Sequence, residues 1–586
     1  MIPPIDKITF AARYTDRRFL VPLERAEWEA VTAEAVSRIT DAVISEAVHK
    51  LPPPMYAQAG ERLERALRSR RDRLMEASRE FYRLLARDVD VRATTGAEEF
   101  EIDCSGDGSV KVAIYARDAK SDGATPDPYF RRTFLPEETS EIRVYTVGGD
   151  DRVVEQGNGT DAILLRVISP PGTSELVDRS NQASAAKLYD TAPPPQISKE
   201  QLARALELDP QAERHARYEP YRDWGHDSLV FPQLSYDSTR GLLLGAYLQR
   251  TSYGFGLDPY ESRMNFGAAY ATSLNRGRVE YGADFRTRSP LSALLYVAYS
   301  GIEQARFFGF GNDTIRNPVL ASNNFYDAGQ HQFIVNPVAE LALIGGLRAR
   351  AGFELEYASS VQRNGRLVGQ IQPEGAGGMA IGSVQAGLAF DESSGTYPSQ
   401  RAFSARLMVR EAPAIFDNPS AFTKLRGEMT ALYGWRLLTN FQLTEHVSGE
   451  RNWGAYPFFE AASLGGTPSQ SPLDVTGATS GNLLRGYDLN RFAGDAAIVS
   501  NTDLAIELGR YSAFLPLRYG VWGLFDVGRV FVDGESSSKW HTAAGGGLWF
   551  TLAVASPGLD LAASLKLAVV QTGDGTSFLA LSGFSF

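Results

Sequence analysis

The sequence is short of the residues from which most catalytic and metal sites are built. One cysteine, Cys104, in 586 residues excludes an intramolecular disulfide and any cysteine-based metal cluster. The six histidines, at positions 49, 215, 226, 331, 446 and 541, are too scattered to make a local metal site. No Gly-x-Ser-x-Gly elbow, phosphate loop or Gly-Asn-His motif occurs, so neither catalysis nor a cofactor is expected. Basic residues are not in excess, with 59 Lys and Arg against 70 Asp and Glu, which argues against a general nucleic-acid binder. No apolar run approaches the ~20 residues that a membrane-spanning helix needs. That does not make the chain soluble, because transmembrane strands alternate and give only a weak hydropathy signal. The start, Met1-Ile2-Pro3-Pro4-Ile5-Asp6-Lys7, lacks the basic region and apolar core of a secretory signal, so a leader is expected to lie upstream or to have been removed.

What is abundant is glycine and aromatic residues. Fifty-five glycines, 25 tyrosines and 31 phenylalanines favour a β-rich second half, and the length predicts at least two units.

The first 88 residues read as helical. Trp28, Val31, Ala35, Ile39, Ala42, Val43 and Ala47 recur at helical spacing within 24–50, and Pro52, Pro53 and Pro54 stop that helix. A second helix is expected over 57–87, with a basic cluster at Arg65, Arg68, Arg70, Arg71 and Arg73. That cluster reads either as a solvated face or as a contact for lipid headgroups or an acidic partner. Residues 89–175 predict a small β-rich domain, with strands near 89–93, 99–103, 109–115, 141–146 and 162–168. Within it, Val147-Gly148-Gly149-Asp150-Asp151-Arg152 and Ile168-Ser169-Pro170-Pro171-Gly172 read as a degenerate turn-strand repeat. Such turns stack as a β-solenoid, whose fuller form binds calcium, or belong to a plain β-domain. Residues 176–225, with Pro193-Pro194-Pro195, read as a linker carrying one short helix near 199–208.

From residue 226 onwards the pattern changes to period two. Val279, Tyr281, Ala283 and Phe285 alternate with Arg278, Glu280, Gly282, Asp284 and Arg286. Phe353, Leu355 and Tyr357 alternate with Gly352, Glu354 and Glu356, and Leu561, Ala563, Leu565 and Leu567 with Ala562, Ser564 and Lys566. Strand after strand has one apolar and one charged face. A soluble sandwich keeps its charges in water and buries its apolar faces together, whereas a membrane barrel gives the apolar face to lipid and the charges to the lumen. The runs are about 10–13 residues, near the ~9–11 that cross a bilayer at a tilt. Aromatics at strand ends (Tyr253, Phe255 and Tyr260; Tyr456, Phe458 and Phe459; Trp540, Trp549 and Phe550) fit interfacial girdles. About sixteen antiparallel strands are predicted, the first at 241–251, the eleventh at 455–464, the twelfth at 496–508, the thirteenth at 517–532 and the last at 575–586. The expected fold is thus an all-β membrane barrel over 226–586, preceded by a smaller α+β domain. A long loop, 466–495, separates the eleventh and twelfth strands.

That loop contains Leu484-Arg485-Gly486-Tyr487 and, just after it, Asn490-Arg491-Phe492. With Gly523-Leu524-Phe525-Asp526-Val527-Gly528 and terminal Phe586, these residues resemble the BamA/TamA family of outer-membrane assembly and translocation barrels (bacterial surface antigen barrels). The resemblance covers about 225–586. It implies that Arg485 folds into the lumen and pairs with Asp526, with Leu484, Gly486, Tyr487 and Gly528 completing the lock. It also implies that Phe578, Phe584 and Phe586 mark barrel closure. A confined guanidinium needs a planar acceptor, which a carboxylate supplies. The family's periplasmic modules of β-α-α-β-β order do not appear, and 130–175 resembles the connecting segment of fusions between a metallophosphoesterase and such a barrel.

The resemblance implies a bacterial outer-membrane location with the N-terminal domain in the periplasm. Expected partners are outer-membrane lipid, a client outer-membrane or secreted polypeptide, and periplasmic accessory proteins, with no nucleic acid. The function it implies is insertion or translocation of proteins, with lateral opening where the first strand, near 241–251, meets 577–586. The alternatives are a secretion pore, and a membrane anchor for the N-terminal domain or for an upstream, phosphoesterase-like one.

Overall fold

The computed structural model describes residues 5–117, 127–158, 162–169, 174–179, 186–190, 206–208, 222–361, 364–395, 397–467, 484–511, 516–556 and 559–585. Two compact units, Met1–Tyr221 and Arg222–Phe586, divide the chain.

In the first unit the two expected helices are broken. Arg25–Arg38 and Asp41–His49 are separate because Thr40 caps the second, its side chain accepting from the Val43 amide. Pro53–Asp72 and Leu74–Arg87 part at Arg73. Behind them the chain alternates between two sheets. Asp88–Arg92, Glu141–Tyr145, Leu164–Ile168 and Lys187–Asp190 pair in parallel in one sheet. In the other, Glu98–Cys104, Asp151–Gly157 and Ser174–Asp178 pair in parallel, and the hairpin of Val110–Ala116 and Phe130–Phe134 extends the far edge. This is a two-sheet solenoid, with Phe100, Ile102, Ile142, Val144, Val153, Leu165 and Val167 in its core. The stretch expected as linker therefore supplies solenoid strands. Leu206–Leu208, where a helix was expected, is a strand paired with Lys187–Asp190.

The second unit is a closed barrel of sixteen antiparallel strands. They are His226–Asp237, Gly241–Gly254, Leu257–Ala271, Arg276–Arg286, Leu291–Ser300, His331–Ala342, Leu347–Ser359, Gly378–Ser394, Arg401–Ala412, Phe422–Arg436, Asn440–Gly454, Ala496–Tyr511, Leu517–Phe531, His541–Ser556, Leu559–Thr572 and Gly575–Ser585. The expected count holds because two errors cancel. His226–Asp237, unassigned from sequence, is the first strand, and the predicted strand 455–464 is not in the wall: only Ala462–Leu464 pairs there, with Phe492–Gly494 inside the barrel.

Val279, Phe285, Phe353, Leu355, Leu407, Met429 and Phe525 stand exposed on the outer face. Arg278, Glu280, Arg350 and Glu354 are buried on the inner one. A continuous apolar belt of this kind is stable only against lipid. The aromatic assignment needs correction. Trp540 is exposed, but Phe255, Tyr260, Phe458, Phe459 and Trp549 are buried. At the short-turn end, Trp435 stacks on Phe441 at 5.3 Å.

Carboxylates also occur on the outer face, Glu411 opposite Val384 and Glu392 opposite Phe403 among them. Glu445, between Leu443 and Val447, accepts from Ser500 Oγ at 2.5 Å and Thr502 Oγ1 at 2.6 Å on the next strand. A charge on the lipid face is destabilising. Glu445→Leu is expected to stabilise the barrel by about 1 kcal/mol, read as a raised urea midpoint in vesicles.

Candidate functional site

Connections alternate in length along the barrel. Those at one end, such as 255–256, 287–290 and 437–439, are tight, while the other end carries 301–330, 360–377, 413–421 and 455–495. The long loops fold inward together. Phe307, Val368, Phe422, Phe458, Phe459 and Ala493 form one apolar cluster, and Asn312 Nδ2 donates to the Val530 carbonyl at 2.6 Å. This packing joins three of the long loops, 301–330, 360–377 and 455–495, to one another.

The described parts of the segment 455–495, up to Thr467 and from Leu484 onwards, lie against the inner face of the wall. Arg485, only 6% exposed, lies against Asp526 of the thirteenth strand, which is fully buried. Arg485 Nε donates to both Asp526 oxygens, at 2.9 and 3.2 Å, and Nη2 donates at 2.5 Å. The Arg485 amide adds a fourth bond at 2.9 Å. The fork matches the carboxylate plane, which makes such a pair strong inside a low-dielectric site.

The expected pairing of Arg485 with Asp526 is thus present in the geometry, but two further residues belong to it. Arg485 Nη1 donates to Asp503 Oδ1 at 2.6 Å, and Lys566 Nζ donates to Asp503 Oδ2 at 3.1 Å. The Lys566 ammonium and Arg485 guanidinium lie 4.9 and 5.8 Å from the Trp522 ring centroid. Asp503 and Lys566 both occupy charged positions in alternating strands, the signal by which they were legible.

Gly486 sits at φ +88, and a Cβ there would come within 2.8 Å of Val570 and Thr572 side-chain carbons. No other residue fits that turn. Tyr487 donates to the Thr542 carbonyl at 3.2 Å and accepts from the Gly573 amide at 2.9 Å. Leu484 is buried, its carbonyl accepting from the Gly466 amide at 3.2 Å. Gly528 is in the wall, paired with Val499 and His541, and a Cβ there would meet the Ile498 carbonyl and the Val499 side chain, not the loop.

The residues after the motif bind the other loops. Asp488 accepts from Arg306 at 2.9 Å and Arg316 at 2.6 Å, and Arg491 pairs with Asp574 at 2.6 Å. Asn490 Nδ2 reaches Gln304 at 2.9 Å. The entering limb has its own anchor, which sequence reasoning missed. Glu460 accepts from Arg410 and, at 2.6 Å, from Lys424, while Arg410 also pairs with Glu354. No local motif marks this cluster, because its members come from four separated segments.

Closure is uneven. The first and second strands share twelve registered pairs, and the last two share eleven. Among the described residues the first and last strands share one, Tyr236 with Ala580. Beside it the Leu234 amide turns to Ser582 Oγ at 3.1 Å instead of a backbone carbonyl. The seam is therefore formed by His226–Asp237, not by 241–251 as expected. Phe578 is half exposed there, its ring 5.9 Å from Tyr236. Phe584 is described by its backbone alone, and Phe586 lies outside the described residues.

No protein-family model matches the chain, and no curated protein matches it. Solved structures that resemble it include BamA from Haemophilus ducreyi lacking POTRA domains 1-3, at 12% identity, covering 61% of this chain and 70% of that one with a TM-score of 0.38. CdiB from Escherichia coli matches at 10% identity, 62% and 64% coverage and a TM-score of 0.39. CdiB from Acinetobacter baumannii matches at 11%, 61%, 60% and 0.35. The chain spans less than two thirds of either CdiB chain, and at these values no role passes from those proteins to this one.

Proposed function

We propose that this chain is an outer-membrane barrel of the BamA/TamA type, which inserts or translocates polypeptide at the bacterial outer membrane, with residues 1–221 in the periplasm. The observation that carries this reading is the seam. A barrel zipped by ten or more registered pairs around most of its wall is joined, among the described residues, by one pair between its first and last strands. Edges of this kind accept an added strand, because the unpaired amides and carbonyls are already aligned for it. The mutually packed long loops and the pinned loop 455–495 favour a route through the wall over one through the lumen. The partners are lipid, an extended client polypeptide and periplasmic accessory proteins. The chemistry is strand exchange, with no bond made or broken.

The test is a disulfide at the registered pair, made by Tyr236→Cys and Ala580→Cys with Cys104→Ser to remove the native thiol. In proteoliposomes, oxidation is expected to slow insertion of an unfolded barrel client at least tenfold, and reduction to restore it. Equal insertion by oxidised and reduced protein would refute the lateral route.

A second reading, a membrane anchor for the N-terminal unit, draws on the solenoid and helices that stand where the family has β-α-α-β-β modules. Under it the cross-link leaves every activity of the N-terminal unit unchanged.

A further inference from the structure

Two buried carboxylates in the N-terminal unit form no ion pair among the described residues. Glu98 and Asp151, 2% and 1% exposed, stand at the starts of adjacent parallel strands, Glu98–Cys104 and Asp151–Gly157. The turns that precede them stack, so closely that a Cβ on Gly149 would meet the Gly96 carbonyl oxygen at 2.2 Å.

One half of each carboxylate is satisfied. Glu98 Oε1 accepts from the Thr94 amide at 3.1 Å, from Thr94 Oγ1, and from the Tyr129 hydroxyl at 3.4 Å. Asp151 Oδ1 accepts from the Glu98 amide at 2.9 Å. Glu98 Oε2 and Asp151 Oδ2 are buried and accept from no donor among the described residues, and the two side chains lie within hydrogen-bonding reach of each other. Among the described residues Arg117 is close by, but it is exposed and donates to the Asp150 carbonyl. Two adjacent buried anions without a counter-charge are strongly unfavourable. A cation between them removes both the repulsion and the unmet lone pairs.

We propose that Glu98 and Asp151 form a calcium site that ties two stacked turns of the solenoid together. The donor set is oxygen only, which suits a hard cation. Carbonyls of the two turns and water would complete the six to eight ligands that calcium takes, a requirement looser than the strict octahedron of magnesium.

Tyr129 provides a local reporter, because a lanthanide in a calcium site is sensitised by a neighbouring phenol. The full chain, folded in detergent and stripped with chelator, is titrated with terbium chloride at physiological salt. One saturable class of tyrosine-sensitised emission is expected, displaced by calcium and weakened at least tenfold in Asp151→Asn and in Glu98→Gln. In Tyr129→Phe, binding of one radioactive calcium per chain is expected to persist while most of the emission disappears. That variant keeps both carboxylates and alters a half-exposed ring, so it decides the matter even where the carboxylate variants fail to fold. Emission unchanged in Tyr129→Phe overturns the proposal. So does absence of calcium binding at ~1 mM, the weak end for extracellular calcium modules, which is the result expected if the two carboxyls share a proton.

Discussion

Arg485→Ala is expected to cost the barrel about 3–5 kcal/mol, the range for removing one member of a buried ion pair. The loss comes mainly from what remains. Asp526 is fully buried and would keep only the Arg485 amide of its four donor contacts to that residue. Asp503 suffers less, because Lys566 still reaches it. The measurements are the urea midpoint in vesicles and the survival of the compact band on unheated gels, with protease sensitivity of 484–495 as the local readout. Three companions sharpen the test. Arg485→Lys keeps the charge but loses the fork and is expected to recover less than half of the loss. Arg485→Ala with Asp526→Ala removes the stranded anion and is expected to regain most of the stability while the loop stays protease-sensitive. Exchange of the two charges is expected to restore function in part. An unchanged midpoint for Arg485→Ala would show that the pair does not hold the loop.

Glu460→Ala is the second large effect. It removes the carboxylate that Lys424 pairs with and leaves Arg410 with Glu354 and the neighbouring Glu356, at an expected cost of about 3 kcal/mol. Here the protease-sensitive stretch should be 455–467, not 484–495. Glu460→Gln keeps the shape and one acceptor and should lie between wild type and Ala. Because both anchors hold one loop, the losses of Arg485→Ala and Glu460→Ala are expected to sum to more than the double variant loses. Simple additivity would mean that the two limbs are independent, and would count against a single plug.

Much of this architecture was legible because it is local. Period-two alternation in segments such as 278–286 and 347–357 reports a wall with two different solvents, whatever its partners are. Arg485-Gly486-Tyr487 carries its own turn chemistry, and the inward position of Asp526 follows from strand parity alone. The same parity made Asp503 and Lys566 readable in principle. The misreadings arose where local composition and tertiary role diverge. His226–Asp237 alternates but contains Pro232, which weakens a strand assignment. Residues 455–464 are aromatic enough for a wall strand, yet Phe458 and Phe459 are buried among the loops.

By itself, then, the sequence determined the strand periodicity, the wall's two faces and the loop motif, since each depends on residues a few positions apart or on strand parity, whereas Asp526 as the motif's partner was implied by the family resemblance. Only the tertiary structure decided which segment closes the barrel, that a single registered pair joins its seam, that Arg410 and Lys424 receive Glu460, and that Glu98 meets Asp151 across two turns. Those contacts join segments that no sequence period links, and burial, which sets their energy, does not exist until the chain has folded around them.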